Sequence, residues 1–305
     1  MIELNKVYAE NCLQTTARMP DNLVDLIVTS PPYSNLRNYH KFSWDFETIA
    51  RELYRILKPG GVLVWVVGDK TYKGTEELTP FRHAIYFQDI VGFNTWDTMI
   101  YVRQSPFPAN VRYNQNFEFM FVFSKGTPKT FNPIMDRKNK WGGQKTFGKS
   151  SFRDKDGSLK VSGQREVNKI GKRSNIWRYA NGFGFGQSDE IAYQHPATYP
   201  EALAKDHILS WSNEGDTVLD CFTGSGTTLK MAKMLNRHYL GIEISPEYVT
   251  LAEKRLLATP VPLFGQGRGL TLPAPDGGDS APSQALSTPD MFSAIEHEPT
   301  PAPRR

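Results

Sequence analysis

Hydrophobic positions along the chain fall into two alternating patterns. Short apolar runs such as Leu26-Ile27-Val28 and 62–67 have the β-branched density of strands buried on both faces. Between them, 46–57 carries Ile49, Leu53, Ile56 and Leu57 at helical spacing, closed by Lys58-Pro59-Gly60-Gly61. The same reading predicts a strand within 4–10, a helix over 12–19, a helix over 81–91 and strands over 95–102 and 117–123. After 195 the alternation resumes. It predicts a helix over 201–211, a strand at 217–219, a helix over 229–235, a strand at 239–244 and a helix from Pro246 to about 257. Strand, helix, strand in succession implies a doubly wound α/β sheet.

The pattern breaks between 125 and 190. Fifteen Lys/Arg stand there against six Asp/Glu, more than twice the net charge of +4 on all 305 residues. Lone aromatics (Phe131, Trp141, Phe147, Phe152, Trp177, Tyr179, Phe183, Phe185) are scattered through it without an apolar period. The segment therefore reads as an insertion outside the sheet, suited to phosphate and base contacts. The predicted organisation is 1–128, an insertion at 129–190, a resumed α/β half at 191–260, and a disordered Pro/Gly/Ser-rich tail at 261–305. Two isolated cysteines, Cys12 and Cys221, form neither a disulfide framework nor a zinc pattern, which suits a reducing cytoplasm. No metal site is predicted. No apolar run approaches the roughly 18 residues of a membrane span.

Two stretches carry chemistry. The strand at 25–28 runs into Thr29-Ser30-Pro31-Pro32-Tyr33. Two prolines end the ladder and stiffen the chain. The strand's carboxyl end then presents the Ser30 hydroxyl, the Pro31 carbonyl and the Tyr33 ring: two acceptors for an exocyclic amine and a face for a planar base. Alone, these nine residues serve equally well as a strand and a Pro-rich turn. The polar and aromatic residues after them, with Arg37, Tyr39 and His40, read as a loop over the site. The second stretch is Asp220-Cys221-Phe222-Thr223-Gly224-Ser225-Gly226-Thr227-Thr228, between a strand and a helix, with Glu243 ending the next strand. Glycines there admit a close ligand, and an acid about 20 residues on suits ribose hydroxyls. No Gly-Lys-Ser/Thr follows, so the ligand reads as a nucleoside without phosphates.

These two motifs together resemble the amino-group-specific DNA methyltransferases in their β arrangement, a circularly permuted form of the Rossmann-like methyltransferase fold. Leu57-Lys-Pro-Gly-Gly61, His195-Pro-Ala-Thr-Tyr-Pro200 and Ser174-Asn-Ile-Trp177 strengthen the likeness, which covers about 4–258 apart from the insertion. It implies a seven-stranded, mostly parallel sheet with one antiparallel edge strand, and a target-recognition role for the insertion. It implies methyl transfer from S-adenosylmethionine to an exocyclic nitrogen of a flipped base in double-stranded DNA. Ser30, Pro31, Pro32 and Tyr33 would form the catalytic bracket. The cofactor would be held by Asn11, His195, Pro196, Ala197, Asp220, Phe222, Gly224, Ser225, Gly226, Thr227 and Glu243. Asp220 would take the methionyl amino group and Glu243 the ribose. Asn11, after Glu10, stands where relatives often carry an acid near the adenine. Serine at position 30 is more typical of enzymes acting on N4 of cytosine, and Asp there of those acting on N6 of adenine. Methylation of adenine N6 is the nearest alternative, and a non-catalytic DNA-binding protein a more remote one. The resemblance also admits a second copy of the chain, and a cognate restriction endonuclease sharing the target site, as partners.

Overall fold

The computed structural model describes residues 2–32, 44–107, 112–145, 150–162, 165–180 and 184–260. The expectations for Tyr33, Arg37, Tyr39, His40, Phe147, Phe183 and the tail at 261–305 lie outside the described residues.

The chain begins with β1 (Lys6–Ala9), α1 (Cys12–Arg18), β2 (Val24–Thr29), α2 (Phe46–Ile56), β3 (Leu57–Val67) and α3 (Thr79–Ile85). α3 widens into a π-helical turn, Tyr86–Val91, which Gly92 ends at φ +97°. Then come β4 (Asn94–Phe107), β5 (Gln115–Ser124), β6 (Ile176–Tyr179), α4 (Glu201–Trp211), β7 (Thr217–Asp220), α5 (Thr227–Met234), β8 (His238–Glu243) and α6 (Pro246–Ala258). α2 shows how locally these elements are specified. The Asp45 carboxylate accepts from the Thr48 N–H at 3.1 Å, capping the first turn, and Ile49, Ala50, Leu53 and Ile56 are its buried face.

The central sheet has eight strands in the order β1-β8-β7-β2-β3-β5-β4-β6. All neighbours are parallel except around β5, which is antiparallel to both β3 and β4. Two expectations are thereby corrected. The antiparallel strand lies inside the sheet rather than at its edge, and the strand count is eight, not seven. The extra strand, β6, comes from the basic segment, which the charge pattern places wholly outside the sheet. Ile176–Tyr179 pairs in parallel with Ile100–Arg103. Trp177 is buried and its Nε1 donates to the Ser174 carbonyl at 2.9 Å; the Tyr179 hydroxyl donates to Asp206 at 2.7 Å. Those two aromatics therefore anchor the segment to the core, while Trp141 and Phe185 remain exposed. Four residues are too few to show a period in a sequence dominated by charge.

Alternating side chains give the sheet two apolar faces. Ile27, Leu63, Trp65, Phe121 and Phe123 pack on the α1–α2 side. Leu26, Val28, Val64, Met120 and Val122 pack on the other, with Leu203 and Ile208 of α4 and Met231 of α5. Among the described residues no helix is long and apolar enough to cross a membrane.

Candidate active site

β2 and β7 lie side by side, with Leu26 and Ile27 in register with Val218 and Leu219. Their carboxyl ends are cross-linked: the Thr29 hydroxyl donates to an Asp220 carboxylate oxygen at 2.6 Å, and the Thr228 hydroxyl to the Val28 carbonyl at 3.1 Å. The two sequence motifs, about 190 residues apart, thus meet at the carboxyl ends of two central strands. Open α/β sheets bind ligands at this end of their strands.

A cavity of about 650 Å³ opens there, within the range of small-molecule sites. Ser30, Pro31 and Pro32 line it together with Gly224, Ser225, Thr227 and Glu243, and with Asn11, His195, Ala197 and Phe222. Asp220, Pro196 and Gly226 do not line it. Pro196 is exposed. Gly226, at φ +80°, starts α5 in a backbone conformation that only glycine adopts freely, and a Cβ there would sit 3.0 Å from that of Ala252.

Asp220 stands one layer behind the cavity. Its carboxylate accepts from Thr29, from the Tyr199 hydroxyl at 3.0 Å and from the Phe222 N–H at 3.1 Å. Burial pushes its carboxyl up from the ordinary range, against the lowering effect of those donors. Asp220 is therefore a joint between the two strand ends and Tyr199, whose hydroxyl also bonds Thr228.

Gly224 sits at φ +50°, and a Cβ there would lie 3.0 Å from the His195 imidazole. Its N–H donates to Glu243 at 2.9 Å, and the Ser245 N–H donates to the other Glu243 oxygen at 2.9 Å. Those two bonds hold the acid at the cavity wall. A carboxylate offers about four lone-pair positions, so it can still accept from a ligand hydroxyl. Burial raises the Glu243 carboxyl, with the two backbone donors opposing. Asn11 caps α1, accepting from the Leu13 N–H at 2.9 Å, and so presents its side chain at a fixed angle. Phe222 packs edge-on to Trp44, ring centres 5.5 Å apart, and Trp44 also lines the cavity.

Sequence reasoning missed two groups of residues. Behind the glycine turn, Arg255 is almost wholly buried. It donates to the Ser225 carbonyl at 2.9 Å, to Thr227 at 3.1 Å, to Gln187 at 2.7 Å, to Asp189 at 2.9 Å and to Glu201 at 2.8 Å. Lys230 joins the same two acids at 2.6 and 2.7 Å. Burial pushes Asp189 up, but Lys230 and Arg255 outweigh it and leave the carboxyl low. Two cations and two anions close a neutral network beneath the turn. Its members come from four separate stretches of chain, and no local spacing announces them. The second missed group is Arg103 and Glu118, on β4 and β5, which line the cavity beyond Ser30.

Among the described residues, the charged side chains at the cavity are Glu10, Asp45, Asp69, Glu118 and Glu243, which are acidic, and Arg103, which is basic. Such a lining disfavours a polyphosphate and favours a cation. The predominantly apolar wall of Pro31, Trp44, Phe222 and Ile242 suits a planar ring.

Comparison with known proteins agrees with this architecture. The N6_N4_Mtase family model, described as DNA methylase, matches residues 24–254. The orphan methyltransferase M.BamHII of Bacillus amyloliquefaciens is 56% identical over 238 residues, covering 77% of this chain and 89% of that protein. The type II methyltransferase M.BglII of Bacillus subtilis is 33% identical over 275 residues, covering 84% and 70%. Among solved structures, the PvuII DNA methyltransferase, described as cytosine-N4-specific, superposes with a TM-score of 0.60 at 20% identity, covering 83% of this chain and 90% of its own. A DNA modification methylase from Thermus thermophilus, solved with S-adenosyl-L-methionine, gives 0.56 at 24% identity, covering 85% and 95%. At those identities the two structures speak to the fold.

Proposed function

The chain belongs to the N6/N4 DNA methylases, which methylate exocyclic amino groups of DNA bases, and from that premise we propose that its substrate is the N4 amine of cytosine in duplex DNA. The observation that carries this reading is Ser30, beside Pro31 and Pro32, in the same cavity as the Gly224 turn and Glu243.

The cofactor is S-adenosyl-L-methionine. The residues present fit it: an acid-rich lining for a sulfonium, Glu243 for ribose hydroxyls, and a cradle at Gly224 that a Cβ would fill. Bound there, it supplies an electrophilic methyl group on a positively charged sulfur. Asp220 acts as a positioning residue, holding Tyr199 and the Phe222 N–H rather than touching the methionyl group.

The amine end is built to orient. The lone pair of an aromatic amine is delocalised into the ring, so the nitrogen is a poor nucleophile. Ser30 Oγ and the Pro31 carbonyl each accept one amine hydrogen, which draws the nitrogen toward a tetrahedral shape and aims its lone pair into the cavity. The prolines keep both acceptors in place without competing backbone donors. Catalysis is then chiefly positioning. No strong base is needed beforehand, because the alkylated nitrogen is acidic and loses its proton afterwards. The target base must leave the duplex to reach this depth, and the basic stretch at 125–173 supplies phosphate contacts around it.

Relatives named type II methyltransferases set the chemistry in a restriction-modification context. The test is direct: express the protein in a host without its own DNA methylation, digest the DNA to nucleosides and identify the product by mass. N4-methylcytosine is expected; N6-methyladenine alone would overturn the assignment.

A further inference from the structure

Beyond Ser30 the cavity continues along one face of the sheet. Leu26 and Val28, Val64 and Val66, Met120 and Val122, and Met99 and Tyr101 all face the α4 side. Side chains alternate along a strand, so Ser30 and Gly68, just past the ends of β2 and β3, stand on that same face as Glu118 of β5 and Arg103 of β4, in a row stepping diagonally outward: Ser30 falls beside Val66, and Gly68 opposite Glu118. All four line the cavity. Gly68 contributes no side chain, which leaves the row open between Ser30 and the charged pair. Arg103 and Glu118 are mostly buried, with side chains 7% and 16% exposed, and approach to 3.4 Å. Arg103 Nη2 also donates to the Gln115 carbonyl at 3.2 Å. A buried guanidinium tied through Nη1 to a carboxylate and through Nη2 to a carbonyl has a fixed plane.

We propose that Arg103, oriented by Glu118, reads the N3/O2 edge of the flipped cytosine and sets the choice of cytosine over adenine; this rests on the N4 reading above. When the N4 amine is held at Ser30, N3 and then the O2 carbonyl follow along the row. Both are acceptors, and a planar guanidinium donates to such a pair in parallel. Adenine held by its N6 amine offers N1 and then a C2–H, so one donor of the buried fork loses its partner. A base hydrogen-bonded at both edges spans on the order of 10 Å, two bonds of about 2.9 Å plus the ring. Two strand spacings of about 4.8 Å, with an offset of two residues along the strands, put Glu118 roughly 12 Å from Ser30, and the long Arg103 side chain, from the next strand over, reaches back to Glu118.

The experiment uses the full-length enzyme. The methylome of the expression host gives the target sequence. Duplexes are made with cytosine, or with adenine, at the modified position. Labelled-methyl transfer gives kcat/KM on each for wild type, R103M, R103K and E118Q, and calorimetry gives cofactor affinity. R103M is expected to lower kcat/KM on the cytosine duplex roughly 10- to 100-fold, the scale of one bidentate base contact. The cytosine-to-adenine ratio falls with it, and cofactor affinity stays within about twofold of wild type. R103K keeps the charge without the fork and does not restore the ratio; E118Q lowers it less. An unchanged ratio in R103M overturns the proposal. Should R103M fail to bind cofactor, the ratio in E118Q decides in the same way. A wild-type product of N6-methyladenine instead refutes the N4 reading, so the two failures are distinct.

Discussion

At the end of the cavity that we assign to the cofactor, the Gly224–Thr227 turn rests on a buried network in which Arg255 bonds Ser225, Thr227, Gln187, Asp189 and Glu201, and Lys230 shares both acids. At the end that we assign to the amine, Ser30 rests on covalent stiffness, the two prolines that follow it. One end is held by side chains recruited from distant segments, the other by the backbone itself. A site held by charges fails through stability and binding together. A site held by ring constraint fails in rate alone, because its loss leaves no buried charge exposed.

Arg255→Met tests the first half of that contrast and carries the largest expected effect. Asp189 and Glu201 would be left with Lys230 as their remaining cationic partner, and unpaired buried charge costs about 3–5 kcal/mol. Denaturant unfolding should show that loss, and cofactor affinity should fall with it. Ser30→Ala tests the second half. Turnover should drop roughly 100-fold, about 2.7 kcal/mol of barrier, with cofactor affinity and melting temperature near wild type. Full turnover in Ser30→Ala would end the assigned role of that hydroxyl.

Gly224→Ala sharpens the comparison at lower cost. The left-handed backbone and the His195 contact should together remove about 1–3 kcal/mol, read as weaker cofactor binding in calorimetry without a matching fall in the rate at saturation. The smallest effect is with pH. Burial raises the Glu243 carboxyl, so in the empty fold it keeps its proton to higher pH than in the unfolded chain. Stability of the empty protein therefore declines as pH rises through that window. A cationic cofactor favours the carboxylate, so its affinity should weaken as pH falls through the raised value. Glu243→Gln should flatten that dependence in titrations run upward from the ordinary carboxylate range.

Both chemical motifs are legible in the sequence because each is continuous and each depends on backbone: prolines end a strand, glycines open a turn. Their convergence follows from the alternation of strands and helices. The Arg255–Lys230 network and the Arg103–Glu118 pair are not legible. Their partners lie from 15 to 68 residues apart, and a lone Arg on an apolar strand or helix looks like an ordinary surface charge until its neighbours are known. Asp220 reads as a direct ligand contact because acids at strand ends commonly are; the bonds its carboxylate accepts from Thr29 and Tyr199 join segments far apart in the chain and no local pattern shows them. Trp177 reads as a nucleic-acid contact because its four-residue strand carries no period.

That short strand has a consequence for exchanging the basic segment, which we propose carries the target preference. The segment leaves the sheet after β5 and returns to it at β6. Near its re-entry Arg173 bridges Asp136 and Asp206, and the Arg173 N–H donates to the Ile134 carbonyl at 2.9 Å. A graft spanning 137–172 keeps both moorings, whereas one reaching 190 removes a rail of the catalytic platform. Swapped specificities should therefore survive the inner junctions and collapse with the outer ones.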